Sequence, residues 1–106
     1  MPKKTTTDAI KILADIAGHD PQRQQAFEEE VANREVAQRI YELRQQAGLS
    51  QTQLAKRVGT TQSVISRLED ADYEGHSLAM LNRIAAAVER RVEIRFVPRR
   101  RRLPPA

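Results

Sequence analysis

The sequence predicts a mainly α protein: a five-helix bundle, a helical extension before it and one β-strand after it. Three observations carry that reading. Residues 49–69, LSQTQLAKRVGTTQSVISRLE, place Leu54, Ala55 and Val58 on one face of a short helix and Val64, Ile65 and Leu68 on one face of the next. The pair Asp20-Pro21 opens a long stretch without helix breakers. Residues 91–97 alternate polar and apolar, and a period of two belongs to a strand. The chain then divides into an extension (1–33), a bundle (34–90), a strand (91–98) and a charged, Pro-rich tail (99–106) expected to be disordered.

Taken in order, Thr7 or Asp8 can cap a first helix ending at Ala17, with Ile10, Leu13, Ala14 and Ala17 on one stripe and Gly18 closing it. An Asp at the N-cap and a Pro at the first helical position then start a second helix. It runs from Pro21 to Ala47, about 27 residues or roughly 40 Å, with room for a bend near Asn33. Phe27 and Val31 form one apolar patch on it; Val36, Ile40, Leu43 and Ala47 form another. Gly48 ends it. Gly59 stands where a helix C-terminus favours φ > 0, and Thr60 and Thr61 stand where the next helix needs an N-cap. After a polar loop, Ser77 caps a helix whose core face is Leu78, Leu81, Ile84, Ala85 and Val88. A lone strand cannot satisfy its own backbone, so 91–97 is expected to pair with its copy across a two-fold axis. Val92, Ile94 and Phe96 would then face the core, and Arg91, Glu93 and Arg95 would face solvent.

Two short helices joined by a tight turn, the first carrying a small Ala55 where the second crosses it, are the layout of a helix-turn-helix. The match goes beyond layout. Leu49-Ser50-Gln51, Leu54-Ala55, Gly59, Thr61-Gln62-Ser63 and Ile65-Ser66-Arg67-Leu68-Glu69 closely resemble the helix-turn-helix of the Xre/Cro/lambda-repressor family. The resemblance extends through SLAMLNRIAAAV and covers about half the chain. It implies a lambda-repressor-like domain that binds double-stranded DNA.

Geometry nominates the contacts. The first turn of a recognition helix points into the major groove, and exposed polar residues recur there at Gln62, Ser63, Ser66 and Arg67. Gln can pair with adenine and Arg with guanine in bidentate fashion. Thr52, Thr60 and Thr61 can donate to phosphates, although plain helix capping also explains Ser50, Thr60, Thr61 and Ser63. Arg67 could instead pair with Asp70. In the family, the residue matching Gln62 commonly touches a base; the one matching Gln51 commonly touches a phosphate and braces that glutamine.

A basic second half suits a polyanion: residues 51–106 hold 11 basic and 6 acidic side chains, whereas residues 1–50 hold 7 and 8. The chain has no Cys, hence no thiolate metal site, and no apolar run long enough to cross a membrane. Without a signal-peptide pattern, a cytoplasmic protein is expected. His19 and His76 lie far apart with no metal-ligand spacing and are expected at the surface. Asp70, Asp72 and Glu74 lack the Gly and terminal Glu of a calcium loop. No nucleophile–base pair, phosphate loop or cofactor signature occurs, so neither catalysis nor a cofactor is expected.

The helical extension and C-terminal strand together resemble HigA-type antitoxins of bacterial type II toxin–antitoxin modules. That resemblance implies repression of its own operon and a RelE/HigB-like toxin partner; a homodimer on a palindromic operator is expected because one recognition helix reads too few base pairs. Ile10, Leu13 and Phe27 would offer that toxin buried area, and Glu28, Glu29 and Glu30 steering charge. A stand-alone or phage-type regulator, or a packing module that no longer binds DNA, are the other readings.

Overall fold

A computed structural model describes residues 20–99. Four helices follow one another: α1 Pro21–Gln46, α2 Gln51–Val58, α3 Gln62–Leu68 and α4 Leu78–Ala87. The helix expected over residues 8–17, with Ile10 and Leu13, and most of the basic tail lie outside the described residues.

Each helix begins where side-chain chemistry can satisfy its first amides. Asp20 accepts from the amides of Gln22 and Arg23 at 3.0 and 3.4 Å, and Pro21 occupies the position that needs no donor. Ser50 and Gln53 form a reciprocal capping box: the Gln53 amide donates to Ser50 Oγ at 3.1 Å, and the Ser50 amide donates to Gln53 Oε1 at 2.8 Å. Thr61 caps α3 through Val64, and Ser77 caps α4 through Met80.

The helix ends explain the turns. At the end of α1 the Leu49 amide reaches back to the Arg44 carbonyl at 3.1 Å, and the Gly48 amide to Gln45 at 3.0 Å. This double closure requires a left-handed residue between, and Gly48 supplies it at φ 70°. Gly59 does the same after α2 at φ 83°. At the end of α4 the same closure falls on Glu89, a non-glycine residue held at φ 59°.

The core is Ile40, Leu54, Ala55, Val58, Ile65, Leu68 and Ile84, with Val36, Leu49, Val64, Tyr73, Met80, Leu81 and Val88 packed around it. The α2–α3 pair sits at its centre, as the small Ala55 permits. Only the C-terminal half of α1 reaches this core; the helix continues without interruption across residues 33–34, the expected boundary between extension and bundle.

Several expectations are corrected. The buried stripe of α1 is Ala37, Ile40 and Arg44, with Val36 and Leu43 half-buried beside it, so Ala47 is exposed and a charged residue takes the inner position. Leu78 is 53% exposed, because it starts α4 at the solvent edge while Ile84 and Ala85 make the inner contact. The described residues hold four helices, and the helix expected over residues 8–17 lies outside them, so the count of five is neither met nor overturned. No strand forms among the described residues. Residues 91–97 have no neighbouring strand in a single chain, so Ile94 and Phe96 stand exposed and only Val92 is half-buried.

Candidate nucleic-acid interface

The exposed edge of the α2–α3 pair gathers the predicted contact residues. Gln51 opens α2 and Gln62 opens α3, eleven positions apart, and their side chains meet: Gln62 Nε2 donates to Gln51 Oε1 at 2.6 Å. Thr52, Ser63, Ser66 and Arg67 are exposed on the same two helices, and Thr60 is half-buried in the turn. The Thr61 hydroxyl accepts from the Val64 amide at 3.3 Å, so its capping role is real and only its proton remains for a phosphate. Asp70 is not matched to Arg67; its carboxylate closes a turn by accepting from the Asp72 amide at 2.9 Å.

Beneath the two glutamines lies an element that sequence reasoning missed. Arg44, in the last turn of α1, forms a bidentate ion pair with Glu69, the residue that ends α3, at 2.7 and 2.9 Å. The side chains are 9% and 5% exposed. Arg44 Nη1 also donates to the Leu49 carbonyl at 2.9 Å, and its guanidinium lies 5.3 Å from the Tyr41 ring centroid. The pair therefore ties α1, the turn before α2 and the end of α3 together. Hydrogen bonding to the Glu69 carboxylate raises the Arg44 pKa against the opposing effect of burial, so the guanidinium keeps its charge. One sequence signal was available: Arg44 stands four residues after Ile40, on the apolar stripe, where a charge requires a buried partner.

The two layers connect. Gln51 Nε2 donates to Glu69 Oε1 at 3.2 Å. A carboxylate only accepts, so Gln51 must turn its NH₂ inward and its carbonyl outward. That carbonyl then takes one proton of the Gln62 amide. Gln62 is left with a free carbonyl oxygen and one N–H, side by side. Adenine presents an acceptor and a donor in that complementary order along its major-groove edge. A buried ion pair thus fixes the polarity of an exposed amide through one intermediary.

Two further contacts brace the turn and the end of α3. Arg83 of α4 donates to the Val58 carbonyl at 2.8 Å and the Gly59 carbonyl at 3.3 Å. His76 is half-buried rather than free at the surface: Nε2 lies 2.7 Å from the Leu68 carbonyl, and the ring meets Tyr73 edge-on at 5.0 Å. It closes α3 from behind.

The residues expected to meet a toxin are divided. Phe27 is 63% exposed and Glu29 and Glu30 face solvent. Glu28 instead pairs with Arg99 at 2.9 Å, beside an open cleft that Phe27, Val31, Val97 and Pro98 line.

Comparison with known proteins agrees with this geometry. Residues 40–89, just under half of the chain, match the model of a family described as Helix-turn-helix. The match supports the Xre-like resemblance and is consistent with a DNA-binding transcription regulator. Neither curated proteins nor solved structures gave a match. No helix among the described residues is long and apolar enough to cross a membrane.

Proposed function

We propose that the chain is a sequence-specific repressor of transcription that acts in the cytoplasm as a homodimer, binding DNA rather than catalysing a reaction. The observation that carries this reading is the braced Gln62 amide at the exposed start of α3, backed by the buried Arg44–Glu69 pair. The bracing holds a donor and an acceptor in fixed order at an exposed helix start, the form in which a glutamine reads a base edge. Ser63, Ser66 and Arg67 extend the reading surface, and Thr52, Thr60 and Thr61 anchor flanking phosphates. Titration against a site selected from random duplexes tests this. Gln62→Ala should weaken specific binding by about 1–3 kcal/mol and leave non-specific binding nearly unchanged. Equal weakening on all sequences contradicts base readout.

One α3 helix spans too few base pairs for useful specificity, so a two-fold dimer on a palindromic operator, with half-sites about 34 Å apart, completes the reading. Residues 91–97 supply the dimer contact, and deleting 91–106 should give monomers by light scattering.

Of the regulators with this domain, an antitoxin that binds a RelE/HigB-like toxin and represses its own operon accounts best for the outer half of α1. That half carries Phe27, 63% exposed, beside the solvent-facing Glu29 and Glu30, and serves no core. A stand-alone regulator is equally compatible with the DNA-binding domain. The combined variant Phe27→Lys, Glu29→Lys, Glu30→Lys leaves Glu28 with its Arg99 partner. It should keep operator binding and lose rescue of growth when the adjacent gene product is co-expressed. Full rescue would move the neutralising surface elsewhere.

A further inference from the structure

We propose that two copies of this chain pair residues 91–97 as antiparallel strands in one register, centred on Ile94. The proposal rests on the dimeric reading above and adds the register, which that reading left open.

The segment is held at both ends by its own protomer. At the start, the Arg90 amide closes α4 on the Ala85 carbonyl at 2.8 Å. At the end, Arg99 pairs with Glu28 at 2.9 Å. Between those anchors Ile94 and Phe96 are exposed, and among the described residues the backbone of 91–97 joins no ladder. The chain between them is extended enough to bring alternate side chains to one side: Arg95 lies 3.5 Å from Glu93. A pre-extended, unpaired apolar segment needs a strand to pair with.

The segment's own charges select its copy as that strand. When two identical antiparallel strands meet, the numbers of facing residues add to a constant, so each register makes a definite set of pairs. Centred on Ile94, that residue faces Ile94 of the partner subunit and Val92 faces the partner's Phe96. Glu93 faces the partner's Arg95, and by symmetry this ion pair forms twice. Val92, Ile94 and Phe96 then lie on one face, the side on which Val92 is already half-buried, and Val97 faces the partner's Arg91 at the end of the other. Centring on Glu93 sets that carboxylate against its own copy and Arg91 against the partner's Arg95. Centring on Arg95 opposes like guanidinium groups. Centring on Val92 breaks the apolar row at its middle, setting Ile94 against the partner's Arg90, and leaves Phe96 without a facing residue in the segment. Centring on Phe96 brings Pro98, which has no N–H, into the ladder. Registers centred between residues place charged side chains opposite apolar ones.

The chain contains no cysteine, so single-cysteine variants report the register directly. Residues facing each other in an antiparallel ladder have Cα atoms about 4.5–5.5 Å apart, within disulfide reach, whereas diagonal neighbours at roughly 7–8 Å are not. Mild oxidation of the full-length dimer should link Ile94→Cys to its copy fastest. Glu93→Cys and Arg95→Cys should each link slowly alone and rapidly when mixed. Faster self-linking of Glu93→Cys or Arg95→Cys overturns the register. A chain that light scattering shows to be dimeric but that links at none of these positions also overturns it, while leaving the dimer intact. A monomeric chain overturns both readings. As a second measure, Glu93→Arg should raise the dimer dissociation constant about tenfold or more. The swap Glu93→Arg with Arg95→Glu should restore it, because the pair merely reverses; failure of the swap to restore dimerisation overturns the proposal.

Discussion

Ile65 in α3 and Phe96 in the C-terminal segment are both large apolar residues set in regular periodic patterns, yet Ile65 is fully buried and Phe96 is 98% exposed. The same contrast runs through the molecule. Within residues 40–89 the amphipathic faces of four helices close on one another, and turn, cap and core agree. Outside it, the outer half of α1 and residues 91–97 carry equally clear periodicity but meet no complementary surface in one chain. Periodicity states that a face requires burial. It does not state against what. The flanks are therefore where a second molecule is needed, and the bundle is where it is not.

That contrast can be broken at its strongest point first. Glu69→Ala leaves the Arg44 guanidinium buried without its partner and should cost about 3–5 kcal/mol in chemical denaturation. A loss under 1 kcal/mol would mean that the ion pair does not tie the three elements. Because the Arg44 pKa is raised, its charge, and the stabilisation that depends on it, is complete below the ordinary arginine pKa and fades only in strong base. The pair should give no pH dependence through Arg44 in the neutral range.

Next comes the comparison itself. Leu54→Ala should destabilise by roughly 2–5 kcal/mol. Phe96→Ala, measured at concentrations where the chain is monomeric, should change stability by less than about 0.5 kcal/mol. Equal losses would show that the segment packs on its own protomer. A smaller effect sharpens the link from core to surface. Gln51→Ala removes no base contact, yet it frees the Gln62 amide to rotate. It should lower specific affinity by about tenfold with little change in thermal stability, read by titration and melting in parallel. The smallest effect sits at the joint between the two regions. Glu89→Gly relieves a left-handed non-glycine residue and should stabilise the fold by about 0.5–1 kcal/mol. A destabilised Gly variant would show that the Glu89 side chain is needed there.

Much of the bundle was legible before the fold was known because its signals are local. Asp20-Pro21, Ser77, Gly48 and Gly59 act on backbone groups within a few residues, and Leu54, Ala55, Val58, Ile65 and Leu68 recur at helical spacing. The positions of Gln51 and Gln62 follow from the same spacing once a turn joins the two helices. Arg44 with Glu69 was not legible as a pair: the place of Arg44 on the apolar stripe calls for a buried partner, but nothing in the sequence says that the partner is Glu69, 25 residues away. His76 was misread for the same reason: the Leu68 carbonyl it meets is brought to it only by the loop closing behind α3.

The sequence by itself determined the helix starts and stops, the two-helix unit and the exposed polar start of α3, because each is settled by hydrogen bonds and apolar periodicity over short distances. Only the tertiary structure decided that Arg44 turns inward, that Glu69 orients Gln51 and through it Gln62, and that Phe27, Ile94 and Phe96 remain uncovered. Those outcomes depend on which surfaces meet when distant segments are packed in three dimensions, and a buried charge or an exposed ring is settled by its neighbours in space rather than along the chain.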